Sequence, residues 1–129
     1  MSRYACIITL GLALAAGGTA AATLPLKAGD FVREGTPCAD APFAAQFSYR
    51  AGAFAYPHAT QCRSVVARRR GQAYEVRETC AALGDGTPAT ATAVTTRYRV
   101  LSPTRVEVTK RYGTDRAAAM YRRCPVDVN

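Results

Sequence analysis

The sequence predicts an all-β protein, a small antiparallel β-barrel or sandwich of seven or eight short strands that two disulfides staple together. Several short segments alternate apolar and polar side chains with a period of two, which is typical of half-buried strands. Glycine, proline and aspartate punctuate the chain between these segments, and no long segment has the period of a helix. We favour a barrel because closure leaves no unpaired strand edge.

The first residues have the parts of a signal peptide. Arg3 gives a positive start, residues 7–16 form a short apolar run, and the alanines at 20–22 provide a small-residue cleavage site. We therefore expect cleavage that separates a signal peptide, residues 1–22, from a single mature domain, residues 23–129, located in the periplasm or outside the cell. An uncleaved anchor is the alternative, which the small residues disfavour. No later segment is apolar enough to span a bilayer.

The first half of the mature chain is predicted to contain three short strands. Gly29–Arg33 is the first, and a loop rich in glycine, proline and aspartate follows it at 35–42. The segment Phe43–Tyr49 alternates as a strand with Phe43 on its buried face, and a short helical turn at its start is the alternative. A turn at Ala51-Gly52 leads into the short strand Ala53–Tyr56.

Residues 62–80 are predicted to form a β-hairpin. The second half alternates between two faces, and Arg70-Gly71 offers a two-residue turn with glycine where φ must be positive. This register aligns two cross-strand pairs, Val65 with Val76 and Arg63 with Glu78. A slip that centres the turn on Gly71 is the alternative, and it aligns Val66 with Val76 and Cys62 with Cys80. In the Arg70-Gly71 register the arginines at 68–70 lie at the tip in water.

A second hairpin is predicted around Pro103. One register satisfies three cross-strand pairs at once, Val100 with Val106, Tyr98 with Val108, and Arg99 with Glu107. Thr104 occupies a position where such turns usually have glycine, and a longer loop would accommodate it. The segment Ala119–Cys124 is predicted to be the closing strand, with a short helix from Asp115 as the alternative.

The cysteines predict two disulfides. Removal of the signal peptide takes away Cys6 and leaves an even number of cysteines, which is the disulfide pattern of an exported chain. The remaining four are Cys38, Cys62, Cys80 and Cys124. Because the Arg70-Gly71 register places Cys62 and Cys80 on opposite faces, we expect the pairs Cys38–Cys62 and Cys80–Cys124. The other pairing considered is Cys62–Cys80 with Cys38–Cys124.

The residues needed for catalysis or metal binding form no recognisable pattern. His58 is the only histidine, no serine lies in a nucleophile elbow, and paired cysteines are withdrawn from zinc binding and nucleophilic catalysis. Glu75 and Glu78 point to opposite faces of their strand, so they are not the facing pair that glycoside hydrolysis needs. No nucleotide-binding motif is present. The sequence therefore predicts no enzyme, no metal and no cofactor.

The chain is strongly basic, with a formal net charge of +8, and all but two of its 17 basic residues are arginine. Arginine and alanine are both abundant, as in proteins from GC-rich genomes, so the charge alone specifies no partner. Two loops are candidates for binding: the hairpin tip with Arg68, Arg69 and Arg70, and the loop 35–42 beside His58. A solvated tip and a surface histidine are the alternatives. Export disfavours a specific nucleic-acid partner and leaves anionic envelope polymers.

The chain resembles small periplasmic β-barrel proteins, namely the bacterial lysozyme inhibitors and the periplasmic inhibitors of secreted metalloproteases. The resemblance is carried by the opening Gly29-Asp30-Phe31, the short strands, the cysteines and the close Tyr121-Arg122-Arg123-Cys124. Phe31 stands where such openings commonly have tryptophan, and no inhibitory residue matches. The resemblance implies a binding protein that inhibits a hydrolase.

These observations lead to one expected function and two alternatives. A rigid, disulfide-linked fold without catalytic groups presents loops at low ordering cost, which favours binding. We expect a monomeric, exported, non-enzymatic binding protein, either an inhibitor of a lysozyme or protease or a protein that holds an anionic envelope polymer on a basic face. A structural or accessory protein is the remaining alternative.

Overall fold

The computed structural model describes residues 23–112 and 115–126, so the predicted signal peptide, residues 1–22, lies outside the described residues. The described chain is almost entirely β-structure, with one turn of 3-10 helix at Phe43–Ala45. Its strands are β1 (Gly29–Arg33), β2 (Gln46–Arg50), β3 (Ala53–Ala55), β4 (Ala59–Arg70), β5 (Ala73–Leu83), β6 (Pro88–Ser102), β7 (Arg105–Tyr112) and β8 (Asp115–Arg123). None of these residues belongs to a helix long and apolar enough to cross a membrane.

The strands form one antiparallel sheet that curls into a nearly closed barrel. Their order is β3-β2-β1-β8-β7-β6-β5-β4, so β1 and β8 pair although they lie at opposite ends of the domain sequence. The two edges of the sheet, β3 and β4, meet at a tight turn where Tyr56 and Ala59 exchange backbone hydrogen bonds of 3.4 and 3.2 Å. The predicted all-β fold, a barrel or sandwich of seven or eight strands, is therefore confirmed, and it is a nearly closed barrel of eight strands.

Aromatic side chains fill the barrel. The rings of Phe31 and Phe47 stack with centroids 5.1 Å apart, and those of Phe54 and Tyr98 stack at 4.5 Å. Phe47 also contacts Tyr121 at 5.3 Å. Such rings each bury about 150–250 Å² and dominate the energetics of a small core. These side chains pack the middle of the barrel.

The segment before β1 closes one end of the barrel, which we call the lower end. Leu24 and Leu26 are buried in the core, and the Leu24 N–H donates to the Tyr49 hydroxyl at 2.9 Å. The Lys27 N–H donates to the carbonyl of Pro103 at 2.7 Å. The β4–β5 and β6–β7 turns lie at this end, where the Val100 N–H donates to the carbonyl of Gln72. The β3–β4 and β5–β6 turns lie at the opposite, upper end.

The predicted register of the first hairpin is wrong by one residue. Val66, not Val65, lies opposite Val76, and Ser64, not Arg63, lies opposite Glu78. Two features of the strand produce the difference. The turn residues are Gly71 and Gln72, with φ of +58° at Gly71, which matches the glycine-first pattern of a type II′ turn. This turn shifts the pairing by two residues from the prediction, and a bulge at position 67 takes one of them back, which leaves the net error of one residue.

The preferred disulfide pairing is also wrong, for the same reason. With the corrected register Cys62 lies directly opposite Cys80, and these two residues form one disulfide. The other joins Cys38 to Cys124, with Cα atoms 5.8 Å apart, and ties the loop after β1 to the end of β8. A shift of one residue along a strand exchanges its two faces, so an error in register became an error in cysteine pairing.

The remaining predictions for the strands hold with small changes. The second hairpin has all three predicted pairs, with a bulge at Leu101 before the turn. Residues 43–45 form the helical turn that was the alternative, so Phe43 is exposed, whereas the strand begins at Gln46. The closing strand is longer than predicted and begins at Asp115, where a short helix was the alternative.

Candidate functional site

The structure separates the residues proposed as a binding site from sequence. Arg68, Arg69 and Arg70 end β4 at the lower end of the barrel, whereas His58 precedes β4 at the upper end. The strand between them has 12 residues. At about 3.3 Å per residue it spans roughly 35–40 Å, so one small ligand cannot contact both groups.

The arginine tip is partly tied to its own hairpin. The guanidinium of Arg69 lies 5.1 Å from the centroid of the Tyr74 ring, and its Nε donates to the carbonyl of Gly71 at 3.2 Å. A guanidinium over an aromatic face is stabilised by about 0.5–1 kcal/mol when exposed. Arg69 therefore contacts its own hairpin, and all three arginines are exposed at the hairpin tip.

A buried polar cluster lies beneath the upper end, and sequence reasoning did not identify it as a site. It consists of Tyr56, Glu78 and Tyr98, which we call the Glu78 cluster. The Tyr56 hydroxyl donates to Glu78 Oε2 at 2.5 Å, and the Tyr98 hydroxyl donates to Glu78 Oε1 at 2.7 Å. The two hydroxyl oxygens are themselves 2.8 Å apart, also within hydrogen-bond distance.

Counting protons in the Glu78 cluster favours a neutral carboxylic acid. Three hydrogen bonds need three protons, and the two tyrosines supply two. A proton on Glu78 supplies the third. The carboxyl O–H then donates to one tyrosine hydroxyl, and that hydroxyl donates in turn to the hydroxyl of the other tyrosine. Burial raises the pKa of the Glu78 carboxyl above its ordinary value, and the hydrogen bonds from the tyrosines and the positive charge of Lys110 oppose the increase without cancelling it. Burial also raises the pKa of both tyrosine hydroxyls well above 10.0.

Lys110 lies next to the Glu78 cluster. Its ammonium is half-buried and 5.3 Å from the centroid of the Tyr56 ring. Within the described part of the chain, the ion pairs are Arg50–Asp30, Arg99–Glu107 and Arg105–Glu34, and Lys110 belongs to none of them. Burial lowers the pKa of this ammonium, and the positive charge of Arg33 adds to the effect, while Glu78 opposes it.

A cavity of about 240 Å³ opens beside Lys110 at the upper end, and we call it the mouth cavity. Its walls come from the β3–β4 turn and from strands β4 to β7. They include Tyr56, His58, Ala59, Glu78, Cys80, Thr92, Val94, Thr96 and Lys110. The rings of Tyr56 and His58 lie 5.6 Å apart, so the histidine extends an aromatic wall. The cavity combines apolar walls with few polar groups, as small-molecule sites do.

A second candidate surface lies on the outside of the barrel. Besides Arg70 at the hairpin tip, the outward positions of β4, β5, β6 and β8 carry five exposed arginines that form no ion pair with any described residue, and we call the surface of these five the arginine face. Its members are Arg63, Arg68, Arg77, Arg97 and Arg116. The surface contains a depression of about 610 Å³, whose charged walls are Glu75, Arg97 and Arg116.

The sheet register brings these arginines together. Arg68 and Arg97 both lie beside Glu75, on the two strands that flank β5. Neighbouring strands are about 4.8 Å apart, so the backbones of Arg68 and Arg97, which are two strands apart, lie roughly 10 Å from each other. Glu75 is the acidic residue in the depression, so the surface is predominantly positive.

Two features of the sequence could have indicated the mouth cavity, although the sequence analysis did not use them. Glu78 lies at an inward position of an alternating strand between Val76 and Cys80, and Lys110 follows Val106 and Val108 at an inward position of β7. An ionisable residue at a position that otherwise carries apolar side chains indicates either a buried polar cluster or a site.

Comparison of the chain with protein-family models, with curated proteins and with solved structures finds no significant match. The functional argument therefore depends on the geometry and charge of the two surfaces.

Proposed function

We propose that this chain is an exported, non-enzymatic binding protein that holds an anionic polymer of the cell envelope on its arginine face. The observation that carries the proposal is the group of exposed, unpaired arginines on β4, β5, β6 and β8, of which Arg97 and Arg116 line the 610 Å³ depression. A rigid sheet fixes the spacing of these charges, so a linear polyanion can bind to several of them without ordering a loop.

The chemistry of the arginine side chain and the presence of several arginines on one surface both support a polyanion as the ligand. Arginine offers a planar fork of donors that matches carboxylate, sulfate and phosphate groups. Several such contacts act together on one polymer, and each releases a bound counterion. The signal-peptide pattern of residues 1–22 and the disulfides Cys38–Cys124 and Cys62–Cys80 support an exported protein, because disulfides persist in oxidising compartments.

The test uses heparin as a model polyanion and measures its affinity for the oxidised protein at several salt concentrations. We expect affinity to fall steeply as salt rises, with a log–log slope of several units. The double variant Arg97→Gln/Arg116→Gln should weaken binding about tenfold or more and reduce the slope by roughly two. The matched control is Arg50→Gln/Arg105→Gln, which removes the same charge from arginines that already have carboxylate partners. Equal losses in both variants would show that net charge, not the arginine face, determines binding.

Hydrolase inhibition is a second candidate, favoured by the form of the β4–β5 hairpin. Cys62–Cys80 staples its two strands, and Arg68 and Arg70 extend from its tip beside the turn at Gly71. Such a tip fits an acidic cleft of a lysozyme or the specificity pocket of a trypsin-like protease. The assay measures inhibition of lysozymes, serine proteases and metalloproteases by wild type and Arg70→Ala. Inhibition that persists unchanged in Arg70→Ala, or no inhibition at micromolar protein, rejects this candidate.

A further inference from the structure

We propose that the mouth cavity binds a small organic monocarboxylate, whose carboxylate pairs with the ammonium of Lys110 and whose apolar body fills the space beside Tyr56 and His58. This site lies inside the upper end of the barrel and does not depend on the arginine face. Its volume of about 240 Å³ is below the 300–1,000 Å³ typical of sites for drug-sized ligands, which indicates a small molecule.

The first step in the argument is the charge of the cavity. The hydrogen bonds of the Glu78 cluster are satisfied when the carboxyl carries a proton, and in that state it contributes no negative charge to the cavity wall. With that proton in place Lys110 forms no ion pair with a described residue, and Arg33, whose charge lowers the pKa of Lys110, adds positive potential from β1. An ionised Glu78 would instead offset the charge of Lys110, because each group favours the charged form of the other. The proposed binding therefore requires the protonated Glu78, in which state the cavity presents a positive charge.

The second step is the cost of that charge. A half-buried ammonium has lost part of its hydration, and the lowered pKa of Lys110 reflects this loss. The Tyr56 ring offsets part of the loss through its negative face, 5.3 Å away. A carboxylate that reaches Lys110 from the cavity replaces the missing solvation with a charge-assisted hydrogen bond, which is stronger in such a partly dry site than in water.

The third step is the shape and polarity of the walls. Beyond Lys110 the cavity is bounded by the Tyr56 ring, the His58 ring, Ala59 and Val94, which suit an apolar body. Thr96 and Thr92 supply hydroxyl groups on one side. An apolar molecule without a charge leaves the ammonium unpaired, and a dicarboxylate places a second charge against apolar walls, so a monocarboxylate fits best.

The experiment titrates benzoate, hexanoate and the neutral benzyl alcohol into the oxidised protein and follows backbone amides by NMR. We expect saturable binding of at least one carboxylate, with the largest shifts at Tyr56, Ala59 and Thr96, and little binding of benzyl alcohol. Lys110→Met should weaken binding about tenfold or more. The control Lys27→Met removes the other lysine, which is exposed at the lower end, and should leave binding unchanged. Lys110→Gln serves as a second variant if Lys110→Met does not fold.

A further variant tests the charge state of Glu78. Glu78→Gln keeps the shape and the lack of charge, so the affinity for the carboxylate should change by no more than about twofold. A large gain in affinity in Glu78→Gln overturns the inference, because it shows that an ionised Glu78 opposes anions in the wild type. Equal binding of benzyl alcohol, unchanged binding in Lys110→Met, shifts confined to the arginine face, or no saturable binding of either carboxylate also overturns it.

Discussion

The two disulfides close loops of very different length, and this difference predicts their relative contributions to stability. Cys38 and Cys124 are 86 residues apart, whereas Cys62 and Cys80 are 18 apart. A cross-link stabilises mainly by removing conformational entropy from the unfolded chain, and the effect grows with the logarithm of loop length. The chain-entropy relation gives about 4.6 kcal/mol for the longer loop and about 3.2 kcal/mol for the shorter one at 25 °C.

The assay compares oxidised and reduced forms of two variants that each keep one disulfide. Cys62→Ala/Cys80→Ala keeps the long loop, and Cys38→Ala/Cys124→Ala keeps the short one. The free energy of unfolding is measured by urea denaturation before and after reduction, so the alanine substitutions cancel within each variant. Sucrose is added equally to all samples so that the reduced forms remain folded in the absence of urea.

We expect reduction to cost the long-loop variant about 1.4 kcal/mol more than the short-loop variant, which is close to a tenfold difference in the unfolding constant. An equal or larger loss in the short-loop variant would refute the entropic reasoning. It would indicate that Cys62–Cys80 acts through contacts in the folded barrel, where Cys62 packs against the core.

Three further predictions concern the upper half of the barrel. Burial raises the pKa of Glu78 above its ordinary value of 4.5, so folding takes up a proton. The free energy of unfolding of the wild type should therefore fall as pH rises from about 4.5 through the folded pKa. The total loss is about 1.4 kcal/mol for each unit by which folding raises this pKa, and urea denaturation of Glu78→Gln should show no such pH dependence. The Ser64 hydroxyl is buried without a hydrogen-bond partner among the described residues, so Ser64→Ala should raise the free energy of unfolding by about 1 kcal/mol, while Ser48→Ala, which loses a bond to Asp30, should not. A Cβ at Gly84 would collide with the carbonyl oxygen of Pro57, so Gly84→Ala should lower the melting temperature, at a cost of about 1–3 kcal/mol; an unchanged melting temperature contradicts this contact.

Local sequence patterns were sufficient for most of the fold. The register of the β6–β7 hairpin was predictable because Val100, Tyr98 and Arg99 each meet a matching partner in a single alignment. The β4–β5 hairpin offered two registers with nearly equal local pairs, and the choice between them depends on which face of β4 meets the barrel interior. In the observed register Ser64 points inward and Arg63 points into water, a preference that exists only once the barrel has closed.

For the candidate sites too, the sequence showed the residue types, whereas the pairing of the strands decided their arrangement. The abundance of arginine was visible in the sequence, but its arrangement into the arginine face required the pairing of β4, β5 and β6, which places Arg68 and Arg97 on either side of Glu75. The mouth cavity was harder to predict, because Tyr56 and Lys110 are far apart in the chain and meet only across the barrel.

The sequence by itself determined that the described chain forms antiparallel strands with an apolar face, because alternation and turn residues are local properties. It did not determine their lengths, since β4, β5 and β6 have 12, 11 and 15 residues. The sequence also determined that four cysteines remain for two disulfides in the predicted mature domain. Only the tertiary structure decided which cysteines pair and which inward side chains converge. Closure of the barrel brings Tyr56, Glu78, Tyr98 and Lys110 together from separate elements, and burial in that interior raises the pKa of the Glu78 carboxyl and lowers the pKa of the Lys110 ammonium.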